Sequence, residues 1–156
     1  MRLLTALLAL CLSGTAVILV VSRIFLGGVL KEPTTVDIQY DVPAQVIVEE
    51  PFSVTLKLTN VITASQTLHS IDIDTRLWEI VHLNGSMPPY SESRMLPLTR
   101  FESFLFEEEI PVDGSTEVTL QFVGASVGRY EGVLDVCLED GTFCVALPLE
   151  TAVVEK

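Results

Sequence analysis

The chain is poor in positive charge and in histidine. It has 9 Lys and Arg against 21 Asp and Glu, a formal net charge of −12. A surface of that sign repels nucleic acid, whose binding begins with Lys and Arg meeting phosphate. It also repels anionic lipid headgroups. The plainest use of the charge is to keep an exposed domain in solution. Two histidines, His69 and His82, would need two further ligands from distant segments to hold zinc. No Asp-x-Asp-x-Asp-Gly calcium loop occurs, no serine has a nucleophile-elbow context, and no Gly-rich loop joins a strand to a helix. Asp72 and Asp74 on one strand face and the run Glu107-Glu108-Glu109 read as solvated charge. The expectation is a non-enzymatic protein with no metal, no cofactor and no nucleic-acid partner.

One long apolar run is present. Leu3 to Val21 is free of charge, and its 19 residues span close to a ~30 Å hydrocarbon core at ~1.5 Å per residue. A helix there satisfies its own backbone hydrogen bonds, as lipid requires. A second run, Ile24 to Leu30, contains Gly27-Gly28 and reads as an interfacial exit. The competing reading is a cleaved signal peptide ending at Gly14-Thr15-Ala16, but the mature chain would then begin close to the apolar VILVV. The sequence thus divides into an anchor and exit at 1–30, a linker at 31–35, and a domain at 36–156. The bilayer is the expected partner of residues 3–21. Positive charge on the two sides is nearly tied. The domain is expected outside the cytoplasm, because short N-terminal anchors usually carry the rest of the chain across the membrane and the cysteines suit oxidising conditions.

From Val36 onward the pattern has period two. Phe52, Val54, Leu56 and Leu58 alternate with Ser53, Thr55 and Lys57, and Val118, Leu120 and Phe122 alternate with Thr119 and Gln121. Ile71 and Ile73, and Leu134 and Val136, continue the theme. Turn signals stand between the runs at Glu50-Pro51, Asn84-Gly85, Pro88-Pro89, Asp113-Gly114 and Asp140-Gly141. Asn84-Gly85-Ser86 is also a formal glycosylation sequon. The expected fold is all-β, an immunoglobulin-like two-sheet antiparallel sandwich of about seven to nine strands behind one transmembrane helix.

Glu50 to Asn60 (EPFSVTLKLTN) resembles the second strand of bacterial surface and periplasmic immunoglobulin-like modules. Gly128-Arg129-Tyr130-Glu131-Gly132 resembles the Gly-x-Tyr start of a late strand in such modules, where the tyrosine forms a corner bonded to backbone. The Cys…Trp…Cys arrangement of antibody domains is missing.

Cys137 and Cys144 flank an Asp140-Gly141 hairpin signal. With those two residues as the turn, Glu139 faces Thr142 and Cys137 faces Cys144. Opposed Cβ atoms lie about 4.5–5.5 Å apart, within adjustment of a disulfide. Three states stay open: a structural disulfide, two buried thiols, or a redox-active pair. The hairpin is similar to one in the amino-terminal domain of membrane thiol–disulfide interchange proteins, with an acidic-Gly turn and an aromatic before the second cysteine. That resemblance implies thiol–disulfide exchange. It departs by one extra residue between the cysteines, and by Pro148 standing four residues after the second one.

Leu83 to Arg100 shows no clear periodicity and is expected to be a loop. Met87, Pro88, Pro89, Tyr90 and Met95 make it the candidate contact surface for a protein partner. The functional expectation is a membrane-anchored, extracytoplasmic binding or assembly module, with thiol–disulfide exchange as the alternative.

Overall fold

The computed structural model describes residues 35–139 and 141–156. The expected anchor at 3–21, the exit segment and nearly all of the linker lie outside the described residues. Among those described, no helix is long and apolar enough to cross a membrane. Residues 35–156 form one compact unit.

Ten strands build the unit: β1 (Val36–Asp41), β2 (Gln45–Ile47), β3 (Pro51–Asn60), β4 (Gln66–Asp74), β5 (Val81–Met87), β6 (Glu92–Met95), β7 (Phe101–Ile110), β8 (Ser115–Gly124), β9 (Gly128–Leu138) and β10 (Phe143–Val154). A 3-10 turn, Thr75–Glu79, links β4 to β5. One sheet has the order β1-β3-β8-β5, and the other β2-β10-β9-β4-β7-β6. All ladders are antiparallel except β2 on β10.

The protein is an immunoglobulin-like β-sandwich. The first sheet follows the A-B-E-D order of such domains, and β10-β9-β4 follows G-F-C, with two further strands beyond C as in variable-type domains. The chain order differs there. β5 crosses to the other sheet before β6 and β7 form, and β7 rather than β6 pairs with β4.

The period-two pattern explains the core. Val54, Leu56 and Leu58 of β3 and Val118, Leu120 and Phe122 of β8 are buried. The register sets Val54 opposite Leu120 and Phe52 opposite Phe122, whose rings stack at 5.4 Å. Ile71, Ile73, Phe104, Leu134 and Val136 come from the second sheet. Each fully buried side chain of this size contributes about 1.5–3 kcal/mol relative to an exposed one.

Two short strands escape the sequence pattern. The initial strand breaks at Val42-Pro43-Ala44, so β1 joins one sheet and β2 the other. Pro43, which has no N–H to give a ladder, accepts from the Thr151 hydroxyl at 2.8 Å through its carbonyl. β6 lies inside the segment expected to be a loop. All four of its residues are exposed, so no apolar alternation marks it in the sequence.

The register of β4 slips between Leu68 and Ser70 against both neighbours. That irregularity re-phases the strand. Leu68, Ile71 and Ile73 pack inward, and Ser70, Asp72 and Asp74 take the opposite face. Asp72 and Asp74 are nevertheless buried, at 8% and 5% exposure, which corrects their reading as solvated charge. They lie on a central strand with neighbours on both sides.

Tyr130 is buried, as the Gly-x-Tyr resemblance implies, but its hydrogen bond differs. Its hydroxyl donates at 3.5 Å to the carbonyl of Val133, downstream in the same strand. Burial pushes its phenol up to about 12, with the Asp74 carboxylate acting in the same direction.

Candidate functional site

The cysteine hairpin comes first. Cys137 on β9 is directly opposite Cys144 on β10, and the two form a disulfide with Cα atoms 4.0 Å apart. The expected pairing therefore holds, while the turn differs in detail. The ladder ends at Leu138 and Phe143, and Glu139 and Gly141 both take positive φ (57° and 82°). The Gly141 N–H donates to the Leu138 carbonyl at 3.0 Å. The turn thus begins one residue earlier than the Asp-Gly signal suggests. The Glu139 N–H is drawn to the Thr67 carbonyl of β4 at 2.8 Å.

Beside the disulfide lies Asp72. Ser70 Oγ donates to Asp72 Oδ1 at 3.0 Å. Asp72 Oδ2 lies 3.6 Å from Cys137 Sγ. A disulfide sulfur carries no hydrogen, so this contact is no hydrogen bond in the oxidised state. Asp135 is opposite Asp72 in the register. Burial, then the Asp72 carboxylate, raise the Asp135 pKa above the ordinary aspartate value. His69, at the β4 irregularity, packs on the hairpin: a Cβ on Gly141 would come within 2.9 Å of His69 Cδ2.

The second site is a groove of about 240 Å³ lined by Trp78, His82, Leu83, Tyr90, Ser93, Glu102 and Phe104. It draws on β5 of one sheet and on β6 and β7 of the other. The 3-10 turn supplies Trp78, and Asp74 caps that turn by accepting the Arg76 N–H at 3.0 Å. The same carboxylate binds the Arg76 guanidinium, which holds the Asp74 pKa below the ordinary range. Trp78 Nε1 donates to Glu102 Oε2 at 3.0 Å. Phe104 stands between two rings, with Trp78 at 6.1 Å and Tyr90 at 5.1 Å, both edge-on. Tyr90 is held through Ser86, whose Oγ accepts the Tyr90 N–H at 3.1 Å and donates to the Pro88 carbonyl at 2.7 Å.

The expected contact loop is thereby divided. Met87 ends β5 and Met95 ends β6, both exposed. Pro88 and Pro89 form the connection, and Tyr90 turns in to pack against the core and line the groove. Of the five expected residues, Tyr90 alone lines the groove. Trp78, His82, Ser93, Glu102 and Phe104 carry no sequence motif. They meet because the chain crosses between the sheets twice in this region.

No described protein family matches the chain, and no curated protein matches it in sequence. Solved structures match in fold. An enzyme described as catalysing macrocyclization in alchivemycin A biosynthesis aligns at a TM-score of 0.50 and 7% identity, covering 78% of this chain and 90% of its own. The cupredoxin domain of amoB from Nitrosocaldus yellowstonii aligns at 0.47 and 10%, covering 78% and 85%. The CARDB domain of PF1109 from Pyrococcus furiosus aligns at 0.46 and 12%, covering 78% and 96%. At such identities the likeness concerns the fold alone.

Proposed function

We propose that this protein is a non-enzymatic binding or assembly module. An apolar helix at residues 3–21 holds it at a membrane, its sandwich lies outside the cytoplasm, and it takes a basic segment of a protein partner into the Trp78–Tyr90–Phe104 groove. The observation that carries the reading is the groove itself, three aromatic rings with the Glu102 carboxylate among them. Ring faces attract Lys and Arg side chains, and aromatic residues anchor protein contacts. The net charge of −12 favours a basic partner and speeds the encounter. The volume suits one or two side chains rather than a cofactor, whose pockets run from roughly 300 Å³ upward.

Trp78 is the single tryptophan of the sequence, so its fluorescence reports on the groove directly. Titration with a short arginine-rich peptide should change Trp78 emission and saturate, and an acidic peptide of equal length should leave it unchanged. Equal responses to both peptides, or none, would refute the groove as a basic-segment site.

A second reading, membrane-tethered thiol–disulfide exchange at Cys137 and Cys144, is favoured by the Asp72 contact. A buried carboxylate that gains a donor only when Cys137 is a thiol favours the reduced pair. A disulfide untouched by mild dithiol reductant would rule this out.

A further inference from the structure

We infer that the reduced form of this hairpin is a binding site for a borderline-soft divalent cation of the Zn²⁺ type, held by Cys137, Cys144 and Asp72. The inference is independent of the groove. One ligand atom from each of the three residues lies within 4.8 Å of the others. The set mixes two sulfurs with one carboxylate oxygen, the donor chemistry of zinc rather than of calcium or magnesium.

Asp72 supplies an observation that the cysteine pair does not. It is 8% exposed, and its Oδ1 is used by Ser70. Its Oδ2 is directed at Cys137 Sγ, and no N–H or O–H among the described residues reaches it. In the reduced pair the Cys137 thiol reaches this oxygen as a donor, and a cation that displaces both thiol protons meets the carboxylate oxygen and the two sulfurs together. The spacing fits as well. Zn–S and Zn–O distances of about 2.3 and 2.0 Å set tetrahedral S and O ligands roughly 3.5 Å apart, against the observed 3.6 Å. Thiolates bound to one zinc stand roughly 3.8 Å apart, a separation that the freed side chains reach by rotation. The sequence gives no sign of the set, since its members come from β4, β9 and β10.

Oxidation closes this site, and a dithiol opens it. The dithiol transfers two electrons and two protons to the S–S bond. That bond breaks, Cys137 and Cys144 each become a thiol, and the reductant closes its own disulfide. The cation then displaces both thiol protons to solvent and binds the thiolates.

The test uses the full chain in detergent, either oxidised or reduced with a phosphine that is then removed. Each form is titrated with Co²⁺, whose sulfur-to-metal charge-transfer absorption reports thiolate ligands, and then with Zn²⁺ as competitor. The reduced protein should show the band at one equivalent and lose it to Zn²⁺, and the oxidised protein should show none. Asp72→Asn keeps the shape and the Ser70 bond, and should weaken binding by at least the roughly 10–100-fold that loss of even an outer-shell partner costs. If that variant fails to fold, the oxidised and reduced native forms still decide. No band after reduction, an equal band in both forms, or a folded Asp72→Asn variant binding as tightly as the native chain would each overturn the inference.

Discussion

Trp78 and Glu102 hold each other across the open side of the sandwich: the indole N–H of the 3-10 turn donates to the carboxylate of β7 at 3.0 Å. This bond fixes the ring that forms one wall of the groove. Glu102→Ala removes the acceptor and leaves a half-buried donor without its partner. The expected loss is about 1–2 kcal/mol of stability with a red-shifted Trp78 emission, measured by denaturant titration and fluorescence. Glu102→Gln restores an acceptor oxygen and should recover most of the stability but not the preference for basic peptides.

Gly132 has no room for a side chain. A Cβ there would collide with the Tyr130 hydroxyl oxygen and with the ring carbon that bears it. Gly132→Ala should therefore cost about 1–3 kcal/mol by overpacking, read as a fall in the denaturation midpoint at unchanged slope.

Asp135 and Tyr130 give opposite ends of a pH profile. The folded-state pKa of Asp135 is raised by burial and by Asp72. Its contribution is complete below the unfolded value of about 3.8 and is lost as pH rises through the folded pKa. Asp135→Asn should thus raise the melting temperature at pH 7 and give no gain at pH 3. Tyr130, raised to about 12, favours folding fully below its unfolded value and loses that contribution between about pH 10 and 12. Ultraviolet titration of the phenols should find one tyrosine ionising last, and Tyr130→Phe should remove that step.

The disulfide closes a ring of eight residues, worth roughly 2.5 kcal/mol by chain entropy. Reduction should lower stability by about that amount without unfolding the sandwich. In intact cells, a membrane-impermeant thiol label should reach Cys137 and Cys144 only after reduction. Labelling without reductant would contradict the disulfide, and labelling only after lysis would contradict the extracytoplasmic placement.

Much of the fold is legible in the sequence, because β3 and β8 present apolar residues at every second position and a sandwich core demands that pattern. The cysteine pairing is legible for a related reason. A tight hairpin leaves Cys137 opposite Cys144 whether the turn is centred on Asp140-Gly141 or begins at Glu139. Three things are hidden. β6 is an exposed edge strand with no alternation to read. The alternation sets Asp72 and Asp74 on the face opposite Ile71 and Ile73, as found, but not their burial, because the outer face of a central strand and a solvated face read alike in sequence. The groove depends on β5 crossing to the other sheet, which sets Trp78 against Glu102 across 24 positions of sequence. Tyr90 is foreseen within a loop, but its inward turn depends on Ser86 bonding both Pro88 and Tyr90.

The groove as a partner site is tested most directly by photocrosslinking in intact cells. A photoreactive amino acid replaces His82 at the rim of the groove and, as a control, Lys57 on the exposed face of β3. Position 82 should give one discrete adduct, with the attached peptide of the partner rich in Lys and Arg, and Trp78→Ala should abolish it. No adduct at position 82, the same adduct from position 57, or an adduct that survives Trp78→Ala would contradict the account.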